Sequence, residues 1–133
     1  MVKWRMKSTS TTRPFPRRGE IWSANLGTPP VRHWVLVVSL DARNSSDRID
    51  SVLIVPFGSG GIEGPTAIRL EPGETGLPQP SYIKGHFVTT LPKARLLNRE
   101  ARLLSDRRMR EVVALIRRAI DPEAPYERRS NNQ

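Results

Sequence analysis

The sequence predicts a mainly β fold, a small barrel or sandwich, with one α-helix at its C-terminal end. Two observations predict it. From Gly19 to Leu91 the apolar residues fall in short runs cut by glycine and proline, the texture of many short strands. Only after Ser105 does the period change to the helical one, with Met109, Val112, Val113, Ile116 and Ile120 on one face. A chain of 133 residues is long enough for one hydrophobic core and one domain.

The first strand is expected at Glu20–Leu26, where apolar and polar residues roughly alternate before Gly27-Thr28-Pro29-Pro30 breaks the run. Trp34–Ser39 is a continuous β-branched stretch, the pattern of a strand buried on both faces. Asp41–Asp50 reads as a polar loop, and Ser51–Phe57 as another buried strand closed by Gly58-Ser59-Gly60-Gly61. Pro65–Leu70 alternates and is expected as a strand on the barrel exterior; Glu71–Pro80 reads as a loop. Tyr82–Leu91 is expected as a single strand, with Gly85 marking a bulge or a close approach. Ser105 and Asp106 form an N-cap and first-turn pair for the helix, which stops at Asp121-Pro122. Three segments result: a basic mobile arm over 1–17, the folded unit over 18–121, and a polar tail over 122–133. Trp22 and Phe57 are expected in the core.

Composition excludes several classes. With no cysteine there is neither a disulfide framework nor thiol chemistry, and two histidines leave little from which to build a zinc site. No apolar run approaches the roughly 20 residues that span a bilayer, and the arm lacks the apolar stretch of a secretory signal. The expectation is a cytoplasmic protein with no membrane association and no cofactor or metal. Lysine and arginine exceed aspartate and glutamate by 22 to 13, a net charge of +9 that favours a polyanionic partner as readily as it makes a solubilising surface.

The order of segments resembles the MazF/PemK family of toxin–antitoxin ribonucleases. Arg18-Gly19-Glu20-Ile21-Trp22 is similar to the family's opening strand, Val35-Leu36-Val37-Val38-Ser39 with Asp41 to its second, and Val52-Leu53-Ile54-Val55-Pro56 to its third. Pro65-Thr66, Gly76-Leu77-Pro78, Thr90-Leu91-Pro92-Lys93-Ala94-Arg95-Leu96 and Leu104-Ser105-Asp106 continue the likeness, which covers roughly residues 18–120. The resemblance implies a small twisted barrel of the CcdB/MazF/PemK plasmid-toxin type and a symmetric homodimer. It also implies metal-independent endoribonuclease cleavage of single-stranded RNA, and a cognate antitoxin whose disordered tail covers the active groove.

Such cleavage uses the RNA's own 2′-hydroxyl as nucleophile. The protein must deprotonate that hydroxyl, protonate the leaving oxygen and stabilise the phosphorane. On the family pattern an arginine at the head of the second strand and a threonine after the third do much of this. Registered on Val35–Val38, His33 takes the arginine position with Arg32 just before it (a register shifted by one gives that role to Arg32), and Trp34 replaces the usual proline. Gly58 falls on the threonine position, leaving Ser59 as the nearby hydroxyl. Gly85-His86 replaces a carboxylate–glutamine pair. The resemblance thus marks Arg32, His33, Ser59 and His86 as candidate catalytic residues, the two histidines forming an acid–base couple because imidazole titrates near neutrality. Trp34, Lys84, Thr89 and Arg43 are candidate RNA contacts, and Lys93, Arg95 and Arg48 are further basic residues of the same kind. The replaced positions also leave open a non-catalytic toxin-fold protein that binds a protein target, as gyrase-poisoning toxins do, or binds RNA without cutting it.

Overall fold

A computed structural model describes residues 14–126. Most of the expected N-terminal arm (1–13) and the end of the polar tail (127–133) lie outside the described residues. The chain runs β1 (Glu20–Leu26), β2 (Val31–Val37), α1 (Asp41–Asn44), β3 (Ser51–Gly58), β4 (Ala67–Leu70), α2 (Pro72–Thr75), β5 (Ser81–Lys84), β6 (Thr89–Pro92), β7 (Leu96–Leu103) and α3 (Asp106–Ile120). One antiparallel sheet has the order β4-β5-β3-β2-β1-β7, with β6 also pairing with β3. It is strongly twisted rather than closed into the expected barrel.

The sheet separates two apolar layers, because successive side chains of a strand face opposite sides. Ile21, Leu36, Val38, Val55, Phe57, Leu70 and Ile83 pack with Met109, Val112 and Leu115 of α3 on one side. Ala24, Val35, Val37, Val52, Ile54 and Leu91 form the other, with Trp22 and Leu96 packed against it. The helix begins as its sequence predicts: Ser105 Oγ accepts from the Arg108 N–H, supplying a partner to a donor with none inside the helix.

Three expectations are corrected. Tyr82–Leu91 is not one strand: Gly85–Phe87 form a turn of 3-10 helix between β5 and β6. The cause is packing, since a Cβ at Gly85 would lie 2.5 Å from the backbone carbon of Leu115, so the chain turns where it meets α3. The segments 41–50 and 71–80 are not plain loops but carry α1 and α2. Buried Asn44 secures α1, its Nδ2 donating to the Ser39 carbonyl at 2.9 Å while Ser39 Oγ accepts from the Leu53 N–H. The eight-residue strand β7, polar along much of its length, has no counterpart in the sequence expectations; it pairs with β1 through register shifts.

Candidate active site at a strand fork

β2 and β3 pair only from Val37↔Ile54 to Val35↔Pro56. Beyond that point the two strands part. β2 continues on β1 alone, through Trp34↔Ser23, His33↔Ala24 and Arg32↔Asn25. The end of β3 turns to β5, with Phe57 opposite Ile83 and Gly58 opposite Tyr82. A cavity of about 480 Å³ occupies the fork. Its walls are Arg32, His33 and Trp34 of β2, Phe57, Gly58 and Ser59 at the end of β3, and the 77–81 segment with Pro78, Gln79 and Pro80. α2 holds that segment in place: Glu71 and Glu74 cap its first turn reciprocally, and Gly76 ends it in the left-handed region at φ 79°.

A second, smaller cavity of about 220 Å³ opens on the other side of β2. His33, Phe57 and Gly58 line it as well, together with Leu26, Pro56, Tyr82, Lys84 and Phe87. The strand's alternation explains why His33 joins the two. Arg32 and Trp34 share the helix-side face, Trp34 packing on that core, while His33 sits opposite Ala24 of the other layer.

Among the described residues neither cavity contains a carboxylate, whereas the two surface cavities flanking Pro14–Pro16 contain Asp47 and Glu20. Arg32 is exposed and makes only a long 3.5 Å contact from Nη2 to Ser23 Oγ; among the described residues no acid pairs with it. His33 is likewise exposed, and no described residue hydrogen-bonds its ring. Lys84 faces the Phe87 ring, Nζ to centroid 5.8 Å. Cations without acid partners around acid-free cavities are arranged to receive an anion.

The structure therefore brings together Arg32, His33, Trp34 and Ser59, with Lys84 just across β2. His86 lines neither cavity. Its Nδ1 lies 3.0 Å from Thr66 Oγ1 and its ring stacks obliquely on Phe87 at 4.6 Å, so the structure does not assemble the expected histidine couple. Thr89 is exposed on β6 and lines neither cavity. Arg43 donates from Nη1 to the Ser51 carbonyl at 2.7 Å and from Nη2 to Ser51 Oγ, tying α1 to β3 away from the fork. Lys93 and Arg95 are similarly engaged with backbone carbonyls, of Ser46 and of Asn25 and Gly27. Tyr82, Phe87 and Gln79 were not among the sequence candidates; an aromatic residue within an expected strand carries no local sign that it will stand exposed.

Among the described residues no grouping of three or more His, Cys, Asp or Glu side chains is placed to hold a metal ion, and no helix is long and apolar enough to cross a membrane. Comparison with known proteins bears on the whole. Several solved structures share the fold. An endoribonuclease in complex with its cognate antitoxin, from a mycobacterial species, superposes with a TM-score of 0.67 at 22% identity, over 84% of this chain and 99% of that one. A mycobacterial endoribonuclease gives 0.67 at 22% identity over 83% and 95%, and the Mycobacterium tuberculosis toxin MazF-mt6 gives 0.66 at 20% over 77% and 96%. No curated protein matches significantly. The family model described as PemK-like, MazF-like toxin of type II toxin–antitoxin systems matches residues 17–120, and the chain belongs to that family.

Proposed function

We propose that this toxin is a metal-independent endoribonuclease cutting single-stranded RNA at the fork between β2 and β3. The observation that carries the reading is a cavity whose described lining includes Arg32, His33 and Ser59 and no carboxylate. With RNA in it, His33 as the neutral imidazole takes the proton of the 2′-hydroxyl. The O2′–P bond forms, the P–O5′ bond breaks, and the departing O5′ is protonated by water, which reaches the exposed side chains. The products are a 2′,3′-cyclic phosphate and a 5′-hydroxyl. Arg32 faces the charge that grows on the phosphorane, and Ser59 donates to a non-bridging oxygen. General-base help contributes about 10²–10⁴-fold, a charged donor aimed at the phosphorane about 10²–10³-fold, and a neutral donor on an exposed loop about tenfold. Trp34 offers a surface for a base beside the scissile phosphate, and Lys84 a further phosphate contact. His86, Thr89 and Arg43 have no direct part in this scheme.

The solved relative bound to its cognate antitoxin supports a corresponding partner here, and the antitoxin segment is assigned to the same basic cleft as part of the proposal. A homodimer and a cytoplasmic site of action complete the proposal. One observation favours the alternative of binding without cutting: Gly58, where the family pattern has a threonine, brings no hydroxyl to the fork.

The test is incubation of a long single-stranded RNA with excess EDTA, followed by mapping of the ends. Discrete products with cyclic-phosphate or 3′-phosphate and 5′-hydroxyl ends establish the activity. Intact RNA from pH 5 to 9 with folded protein points to the binding-only alternative.

A further inference from the structure

The smaller cavity carries side chains that the catalytic scheme does not use, Phe87 and Tyr82 above all. Phe87 is 52% exposed, a large aromatic presented to solvent on the short turn that Gly85 forces against α3. Tyr82 and Pro56 line the same space, Lys84 Nζ lies over the Phe87 ring at 5.8 Å from the centroid, and no carboxylate enters among the described residues. At about 220 Å³ the space is below the roughly 300–1,000 Å³ of a drug-sized ligand site, which suits one planar ring system. It shares His33, Phe57 and Gly58 with the cleavage cavity on the other side of β2.

We infer that this second cavity is a base-stacking subsite, in which Phe87 receives the nucleobase adjacent to the scissile step while Lys84 holds that nucleotide's phosphate. The inference rests on the ribonuclease reading, which places a scissile phosphate at His33. Because β2 separates the two cavities, a strand crossing at His33 has one base against Trp34 and the next on the opposite face against Phe87. Consecutive bases are thereby unstacked from one another, which favours a single strand over a duplex. Stacking on an aromatic face accepts any base, so the subsite contributes affinity and register rather than a sequence preference.

The experiment uses the full chain and an octanucleotide spanning a mapped cut site, made uncuttable by a 2′-deoxyribose at the cut. Binding is read by fluorescence anisotropy, with an abasic residue placed at each neighbouring position in turn. Wild type loses about tenfold in affinity at one abasic position. Phe87→Leu and Phe87→Ala start about tenfold weaker and lose nothing more at that position, whereas Phe87→Trp behaves as wild type. Lys84→Gln weakens intact and abasic probes equally. A full abasic penalty surviving in Phe87→Leu, at unchanged Tm, overturns the subsite and leaves the ribonuclease reading standing. If long RNA is not cut, that reading fails first, and the same comparison is run with (rA)8 and its abasic version. Phe87-dependent binding then retains the stacking site, and absence of binding ends both.

Discussion

Arg108 of α3 grips Glu74 of α2 with two hydrogen bonds, Nε to Oε1 at 2.6 Å and Nη2 to Oε2 at 3.2 Å. The same carboxylate accepts the Glu71 N–H at 3.0 Å, and the same guanidinium reaches Glu111 from Nη1. Two charges, each mostly shielded, thus join the closing helix to the segment whose next residues, Leu77 to Ser81, wall the cleavage cavity. A paired fork of this kind fixes direction as well as distance.

Its first consequence is a pH dependence of stability. The Arg108 hydrogen bond, aided by the Glu71 N–H, holds the Glu74 carboxyl below its ordinary range despite some burial. A carboxyl lowered in the folded state contributes stability that is present above its unfolded value and lost as pH falls through the folded one. Wild type is therefore expected to lose Tm steadily below about pH 4.5, and Glu74→Gln to lose less over that range. At pH 7 Glu74→Ala costs about 1 kcal/mol, discounted for the solvent that reaches both partners. Equal slopes for wild type and Glu74→Gln in thermal melts from pH 3 to 7 would remove this pair from the account.

Gly85 gives a sharper prediction. A methyl there meets the backbone of Leu115 and Ile116 at 2.5–2.7 Å, which no side-chain rotation relieves. Gly85→Ala is expected to destabilise by about 1–3 kcal/mol, the range for overpacking, through displacement of α3 or of the turn bearing Phe87. Denaturant unfolding checks this; a cost below about 0.5 kcal/mol would mean the approach is not tight in solution.

What the sequence shows of this protein follows the strength of its periods. β1, β3 and α3 are legible because their apolar repeat and end signals agree, as with Ser105 capping a helix that buries Met109, Val112 and Leu115. β7 is not legible, since Asn98-Arg99-Glu100 has no apolar alternation and gains its strand character from pairing with β1. Gly85 announces the close approach to α3, thirty residues later, but no local pattern announces that the chain turns there. The site divides in the same way. Arg32, His33, Trp34 and Ser59 are assembled by the β2–β3 fork next to two strongly patterned strands. Phe87 is exposed, and His86 taken up by Thr66, through a long-range packing contact.

Arg32 is expected to matter for rate and hardly for folding, because its side chain's only hydrogen bond among the described residues is the long one to Ser23. Arg32→Ala should lower kcat/KM by about 10²–10³-fold with Tm changed little, and Arg32→Lys should recover part of it. Ser59→Ala, removing a single neutral donor on an exposed loop, should cost about tenfold. Single-turnover cleavage of the mapped oligonucleotide measures both. Full activity in Arg32→Ala would shift the phosphorane-stabilising role to another cation.

The two histidines are separated by a pH–rate profile. If His33 alone is the base, His33→Gln loses the acid limb of the log kcat/KM profile together with about 10²–10⁴ in rate. His86→Gln keeps the wild-type shape and stays within about tenfold, the loss of a Thr66 contact at the turn before β6. An acid–base couple behaves differently: the wild-type profile is a bell, and each substitution removes one limb and lowers the rate by orders of magnitude. A bell whose alkaline limb vanishes in His86→Gln would mean that RNA draws His86 off Thr66 into the cleft, since a ring held as it is here does not reach the leaving oxygen.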